Sequence, residues 1–170
     1  LRYAASLEAG SEHPLATAIV NMSQDKKIRL GAVSDFKAIA GHGVIGNIDG
    51  KSVLVGNQKL MRDSGVDFSA VQDDLRRLED EAKTAMLVAI DGRIAGIIAV
   101  ADTLKEDSVK AIAELREMGL ETVMLTGDNR RTAEAIAKKV GISRVLSEVL
   151  PQDKVSEIQR VQREIGMTAM

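Results

Sequence analysis

Residues 41–50 read Gly41-His42-Gly43-Val44-Ile45-Gly46-Asn47-Ile48-Asp49-Gly50, and the residues after the first glycines decide the fold. Gly41, Gly43 and Gly46 spell G-x-G-x-x-G, the letters of a dinucleotide-binding loop. Such a loop works only where it comes after a strand and opens a helix, whose N-terminus then meets the pyrophosphate. Here the glycines lead into Val44, Ile45 and Ile48, then Asp49-Gly50, then Val53, Leu54 and Val55. Asp-Gly between two β-forming runs is a two-residue hairpin signal. The chain therefore enters a hairpin rather than a helix, and a dehydrogenase is rejected on that context.

The same pattern recurs further along. Ala85 to Ile90, an Asp91-Gly92 turn and Ile94 to Val100 predict a second hairpin. Between the hairpins lie a short helix around Lys59 to Asp63 and a charged amphipathic helix over 69–82, with Val71, Leu75 and Leu78 on its apolar side. Upstream, residues 1–22 carry helical spacing, interrupted at Gly10 and Pro14. Ser11-Glu12-His13-Pro14 reads as a corner, with Ser11 or a neighbour capping a second helix whose first turn holds Pro14. The first hundred residues are thus expected to form an antiparallel sheet flanked by helices.

At Asp102 the style changes. The spacing predicts a helix over 105–118 ending at Gly119, a buried strand over Glu121 to Leu125, and a loop at Thr126-Gly127-Asp128-Asn129. A helix over 131–140 closed by Gly141 is next. Then come a strand or turn at Val145 to Leu150 and a helix over 152–162 with Val155, Ile158 and Val161 inward. Strand-helix alternation of this kind predicts βαβ units and a parallel sheet. The expected class is α/β in the broad sense (α+β), with domains over 1–100 and 101–170.

Composition narrows the chemistry. Net charge is −2 over 170 residues, and one Tyr, two Phe and no Trp leave little for base stacking, so nucleic acid is not an expected partner. With no Cys there is no disulfide, thiolate chemistry or Cys-based zinc site, and two His cannot make a His-rich metal site. No apolar run approaches the roughly 20 residues of a membrane helix, and no signal peptide opens the chain. A soluble chain is expected. The first residue is Leu1 rather than Met, as in a piece of a longer protein.

Three groups of residues could carry chemistry. Thr126-Gly127-Asp128 comes after a strand, where open α/β sheets bind ligands. A Thr hydroxyl and relaxed backbone can hold a phosphoryl oxygen and an Asp can face Mg²⁺; equally, Gly127 makes the turn and Asp128 caps the next helix. Lys154 opens a helix against the macrodipole, so it is either solvated or held by an anion. Glu8, Glu12 and His13 cluster at the first corner, where the imidazole either meets a purine or serves as a cap or spacer. His42, between two glycines, is expected as an exposed loop residue.

Taken in order, Glu8…Ser11-Glu12-His13-Pro14, Gly41-His42-Gly43-Val44, Val55-Gly56-Asn57, Met124-Leu125-Thr126-Gly127-Asp128-Asn129 and Leu150-Pro151-Gln152-Asp153-Lys154 closely resemble one family. It is the cytoplasmic ATP-binding region of heavy-metal-transporting P-type ATPases, most of all the bacterial copper pumps. The resemblance spans essentially the whole chain. It implies a nucleotide-binding domain, then part of a phosphorylation domain whose fold is related to dehalogenase-type phosphatases.

The resemblance also implies roles. Glu8 stands for an acidic residue on the adenine side, with Glu12 beside it, and His13 for the histidine that positions the ring. Gly41 and Gly43 would let the backbone approach ATP, Val44 would line the pocket, and Gly56 and Asn57 its wall. Thr126 and Asp128 would face the transferred phosphoryl and Mg²⁺, and Lys154 would neutralise charge at the acceptor. Asp102 and Lys105 match a hinge element more weakly. ATP and Mg²⁺ are the implied cofactors. The remaining phosphorylation, actuator and membrane domains of a pump at the cytoplasmic face of a bacterial plasma membrane are the implied partners.

Two motifs of the family are missing from these residues: the acceptor Asp-Lys-Thr-Gly and the Mg²⁺-holding Gly-Asp-Gly-x-Asn-Asp. Leu1 and Met170 therefore look like cut ends, with Met167 to Met170 resembling the start of the next strand. An ATP-binding segment unable to form an aspartyl phosphate is expected. The alternatives are an interaction module with a vestigial pocket and a dehalogenase-type phosphatase, which would need an Asp-x-Asp nucleophile that the chain lacks.

Overall fold

The computed structural model describes residues 1–11, 13–101 and 106–169, apart from the side chain of Glu106. Glu12, Asp102, Lys105 and Met170, all singled out above, lie outside the described residues. The chain divides into two compact units, Leu1–Asp102 and Thr103–Met170.

In the first unit, α1 (Arg2–Glu8) and α2 (Pro14–Asp25) precede three strands, β1 (Val33–Ile39), β2 (Gly43–Ile48) and β3 (Lys51–Gly56). Next come α3 (Gln58–Asp63), a 3-10 turn at Ser69–Val71, α4 (Gln72–Asp80), β4 (Lys83–Ile90) and β5 (Arg93–Ala101). The strands form one antiparallel sheet in the order β1-β2-β3-β4-β5. Both Asp-Gly turns have left-handed backbone at each central residue, with Asp49 at φ 54°, Gly50 at 76°, Asp91 at 50° and Gly92 at 75°. That is the twist-matched hairpin turn, and it sets the register Ile48↔Lys51 and Ile90↔Arg93.

Alternation along the strands feeds two cores. Val44, Ile48, Val53, Val55 and Val88 face α1 and α2, where they pack with Ala4, Ala5, Leu7 and Ile19. Leu54, Ala85, Leu87 and Ala89 face the other way, onto Leu60, Met61, Phe68 and Leu75. The sheet is therefore covered by helices on both faces.

The second unit contains α5 (Glu106–Glu117), β6 (Val123–Leu125), α6 (Arg130–Val140), β7 (Arg144–Leu146), a 3-10 turn at Pro151–Asp153 and α7 (Lys154–Ile165). β6 and β7 pair in parallel with α6 between them. Gly141 ends α6 in the left-handed conformation, at φ 81°. The Arg144 guanidinium ion-pairs with Glu164 on α7 and lies 3.6 Å from Glu121, holding α7 against the start of β7.

Several sequence expectations need correction. The strand expected as buried over 121–125 is shorter and only half-buried. The helix expected over 69–82 starts as a 3-10 turn and ends at Asp80. Val155, expected inward, is 63% exposed; six residues before Val161, it lies about 120° around α7 from that buried residue. Residues 167–169 form no strand. Among the described residues no helix is long and apolar enough to cross a membrane.

Candidate functional site

α1 runs antiparallel to β2, which places its C-terminal end. Its first residue, Arg2, ion-pairs with Asp49 just beyond β2 at 2.7 Å. Leu7 packs so closely over Gly46 that a Cβ there would sit 2.7 Å from its Cδ1. Glu8 and the corner after it therefore lie toward the Gly43 end of β2, on the face where Val44 is buried. The fold thus sets Glu8, Val44 and the 41–43 loop toward one end of the sheet, and His13 opens the helix that follows α1.

Each of these residues has a local physical reason for its position. Glu8 is 5% exposed, and burial pushes its carboxyl above the ordinary range, while the neighbouring Ser11 side chain acts in the opposite sense. His13, not Ser11, is the N-cap of α2: its Nδ1 accepts from the Leu15 amide at 3.2 Å, with Pro14 as first helical residue. With Nδ1 accepting, the ring N–H lies on Nε2, and the ring is exposed.

The glycine loop is tied down from inside the protein. Asn57 donates from Nδ2 to the Gly41 carbonyl at 2.9 Å and caps α3 by accepting from the Leu60 amide at 3.0 Å. Its backbone amide donates to the His42 carbonyl at 2.9 Å. His42, expected as exposed, is half-buried, its Nδ1–H donating to the Ala40 carbonyl at 2.7 Å. Gly43 has φ 142°, and a Cβ there would lie 2.2 Å from the Val55 carbonyl oxygen. Gly43 and Gly46 are thus each demanded by internal packing, and Gly41 by its φ of 71°.

In the second unit, Thr126, Asp128 and Lys154 are set at the C-terminal ends of β6 and β7. Two backbone bonds join the loops: Val149 N–H donates to Thr126 O at 3.1 Å and Glu148 N–H to Asp128 O at 2.9 Å. Thr126 Oγ1 donates to Asp128 Oδ2 at 2.9 Å and accepts from the Asp128 amide at 3.1 Å. The cap of α6 is Asn129, which accepts from the Thr132 amide at 3.0 Å, so Asp128 is not that cap. Lys154 is exposed at the first position of α7. Gly127 differs from Gly43, because among the described residues a Cβ there would meet only the Val149 carbonyl, at an ordinary 3.5 Å.

The described residues offer a buried carboxyl at Glu8, an exposed imidazole at His13 and a glycine loop held by Asn57. Mg²⁺ is less well provided for. Asp128 offers one carboxylate, and among the described residues no three His, Asp or Glu side chains converge on a metal position. An open basin of about 640 Å³ near α6 and α7 includes neither Thr126, Asp128 nor Lys154 in its lining. Its two arginines are already paired, Arg130 with Glu134 and Arg160 with Glu157.

Comparison with known proteins bears on the family and the fold. A family model described as haloacid dehalogenase-like hydrolase matches residues 1–170. The chain is 50% identical over its whole length to a copper-exporting P-type ATPase of Bacillus subtilis strain 168. It spans only 21% of that relative's length. Among solved structures, the catalytic domain of the CPx-ATPase CopB-B, studied for its conformational changes on nucleotide binding, superposes with TM-score 0.67 at 27% identity, over 96% of this chain and 56% of that one. A zinc-transporting PIB-type ATPase in its E2.Pi state gives 0.59 at 34% identity, over 95% of this chain and 26% of that one.

Proposed function

Because the chain belongs to the haloacid dehalogenase-like hydrolase family and its relatives are copper-exporting P-type ATPases, we propose that its first unit binds ATP at the α1–β2 end. What supports this reading is that α1, which ends at Glu8, packs on the face of Val44, and that Asn57 ties the glycine loop leading into β2. The Glu8 carboxyl would accept from the exocyclic amine, and His13 would present its ring and Nε2–H to the base. Glu12, outside the described residues, is assigned to the same site on sequence alone. Asn57, with both ends of its amide engaged internally, is a positioning residue that fixes the loop.

In the parent protein, a membrane pump moving a heavy metal such as copper with its ATP-binding region on the cytoplasmic side, the second unit would meet the phosphoryl group. Thr126 and Lys154 would supply a hydroxyl and a positive charge at transferring oxygens. Asp128 would be one carboxylate ligand for Mg²⁺, which would neutralise phosphoryl charge when bound. The 170 residues contain no Asp-Lys-Thr-Gly; they are expected to bind ATP without accepting its phosphoryl group. Equilibrium dialysis with γ-labelled ATP tests both points. Retained nucleotide with no acid-stable label on the protein is the expected result; no retention, or labelled protein, overturns the corresponding half.

A further inference from the structure

Phe36 is the most exposed of the three aromatic rings. Of the three aromatics, Phe68 is buried in the α3–α4 core and Tyr3 is packed at the opposite core beneath Arg2 and Lys51. Phe36 is 40% exposed on the edge strand β1. Its direction is set by a bulge: Ser34 pairs with Asn47 and Lys37 with Ile45, so Asp35 and Phe36 together stand opposite the single Gly46. Asp35 takes the left-handed conformation this requires, at φ 54°, and its carboxylate accepts from Asn47 Nδ2 at 2.8 Å. Bulges of this kind re-aim a side chain.

The re-aimed ring points at the nucleotide corner. It lies 3.5–3.6 Å from where a Gly10 Cβ would sit, two residues beyond Glu8 and three before His13. Along β1, Ala38 is next on the same side of the strand and pairs with Val44, so a small residue separates the ring from the glycine loop. Phe36 and Ala38 thus lie on the face of the sheet where Val44 is buried, between Gly10 and the 41–43 loop.

We propose that the Phe36 ring forms a wall of the base site, making an aromatic contact with the adenine of ATP in addition to those assigned to Glu8 and His13. The proposal rests on the ATP reading above. Loss of an aromatic contact to a purine is expected to weaken binding about fivefold to tenfold.

The chain contains no Trp, so Phe36→Trp introduces a single Trp fluorophore into the whole 170-residue protein. Titrated with ATP, this variant is expected to change its emission in step with the amide shifts of Gly43 and Asn57. Phe36→Leu, which still covers Gly10, should bind ATP about fivefold to tenfold more weakly. In the wild type, nuclear Overhauser contacts should join the Phe36 ring to adenine H2 or H8. Saturating amide shifts with unchanged emission, no ring contact and unchanged affinity in Phe36→Leu would overturn this inference and leave ATP binding standing. No amide shifts at all in the folded wild type would remove the ATP reading and this inference with it.

Discussion

Gly43 and Gly56 face each other across β2 and β3 so closely that a Cβ on Gly43 would lie 2.5 Å from the Gly56 Cα, and one on Gly56 would lie 3.0 Å from the Gly43 Cα. This contact fixes the end of the sheet on which the glycine loop and Asn57 are mounted. Gly43→Ala adds an atom 2.2 Å from the Val55 carbonyl at a φ of 142°, and should destabilise the first unit by about 3 kcal/mol or more. Gly127→Ala, with an ordinary contact at 3.5 Å, should change stability by less than about 0.5 kcal/mol. Urea midpoints of the two variants check the contrast.

Asn57 serves a helix with one end of its amide and a loop with the other. Asn57→Ala removes both and should cost about 1–2 kcal/mol. Asn57→Asp keeps an oxygen for the Leu60 amide but has no donor for the Gly41 carbonyl. It should retain most of the stability while amide exchange at Gly41 to Gly43 speeds up. Equal exchange rates in the wild type and Asn57→Asp would show that the tie to Gly41 does not hold the loop.

The buried Glu8 carboxyl carries a pH signature. Burial raises its folded-state pKa above the ordinary 4.5, so above that pH the folded chain holds a proton that the unfolded chain has released. Stability supplied by this group is therefore full below 4.5 and is lost as pH rises through the folded-state value. Glu8→Gln removes the effect. The unfolding free energy of the wild type minus that of Glu8→Gln should decline as pH rises from 4.5; a flat or rising difference contradicts the assignment.

Asn129, rather than its neighbour, caps α6, with Oδ1 accepting from the Thr132 amide and Nδ2 donating to the buried Thr132 hydroxyl, both at 3.0 Å. Asn129→Ala should cost the second unit about 1–2 kcal/mol. Amide exchange across Arg130 to Ala133 reads the loss of the cap directly.

A feature is legible in the sequence when its cause is local. The Asp49-Gly50 and Asp91-Gly92 hairpins are readable because two adjacent residues specify each turn. β1 is readable only from Phe36 onward: an edge strand with a bulge shows an almost wholly exposed pattern, without alternation. The resemblance points to Gly43 for closeness to ATP, yet its demand for glycine also comes from Val55 and Gly56, partners that exist only once the register is set. The exposure of Val155 follows from its place about 120° around α7 from Val161, because a spacing of three and three drifts off one helix face. Phe36 carries one usable signal, an aromatic in a chain with two others.

His13 caps α2 with its Nδ1, and the central claim is that its ring at the same time serves the nucleotide. An amide titration with ATP on the wild type and on His13→Asn separates the two roles, since Asn supplies an N-cap acceptor without an imidazole. The expected result is an intact α2 in the variant and, in the wild type, shifts at Glu8, His13, Gly41 to Val44, Gly56 and Asn57 that require about tenfold or more ATP on substitution. Undiminished shifts in His13→Asn, or none in the folded wild type, would contradict the double role.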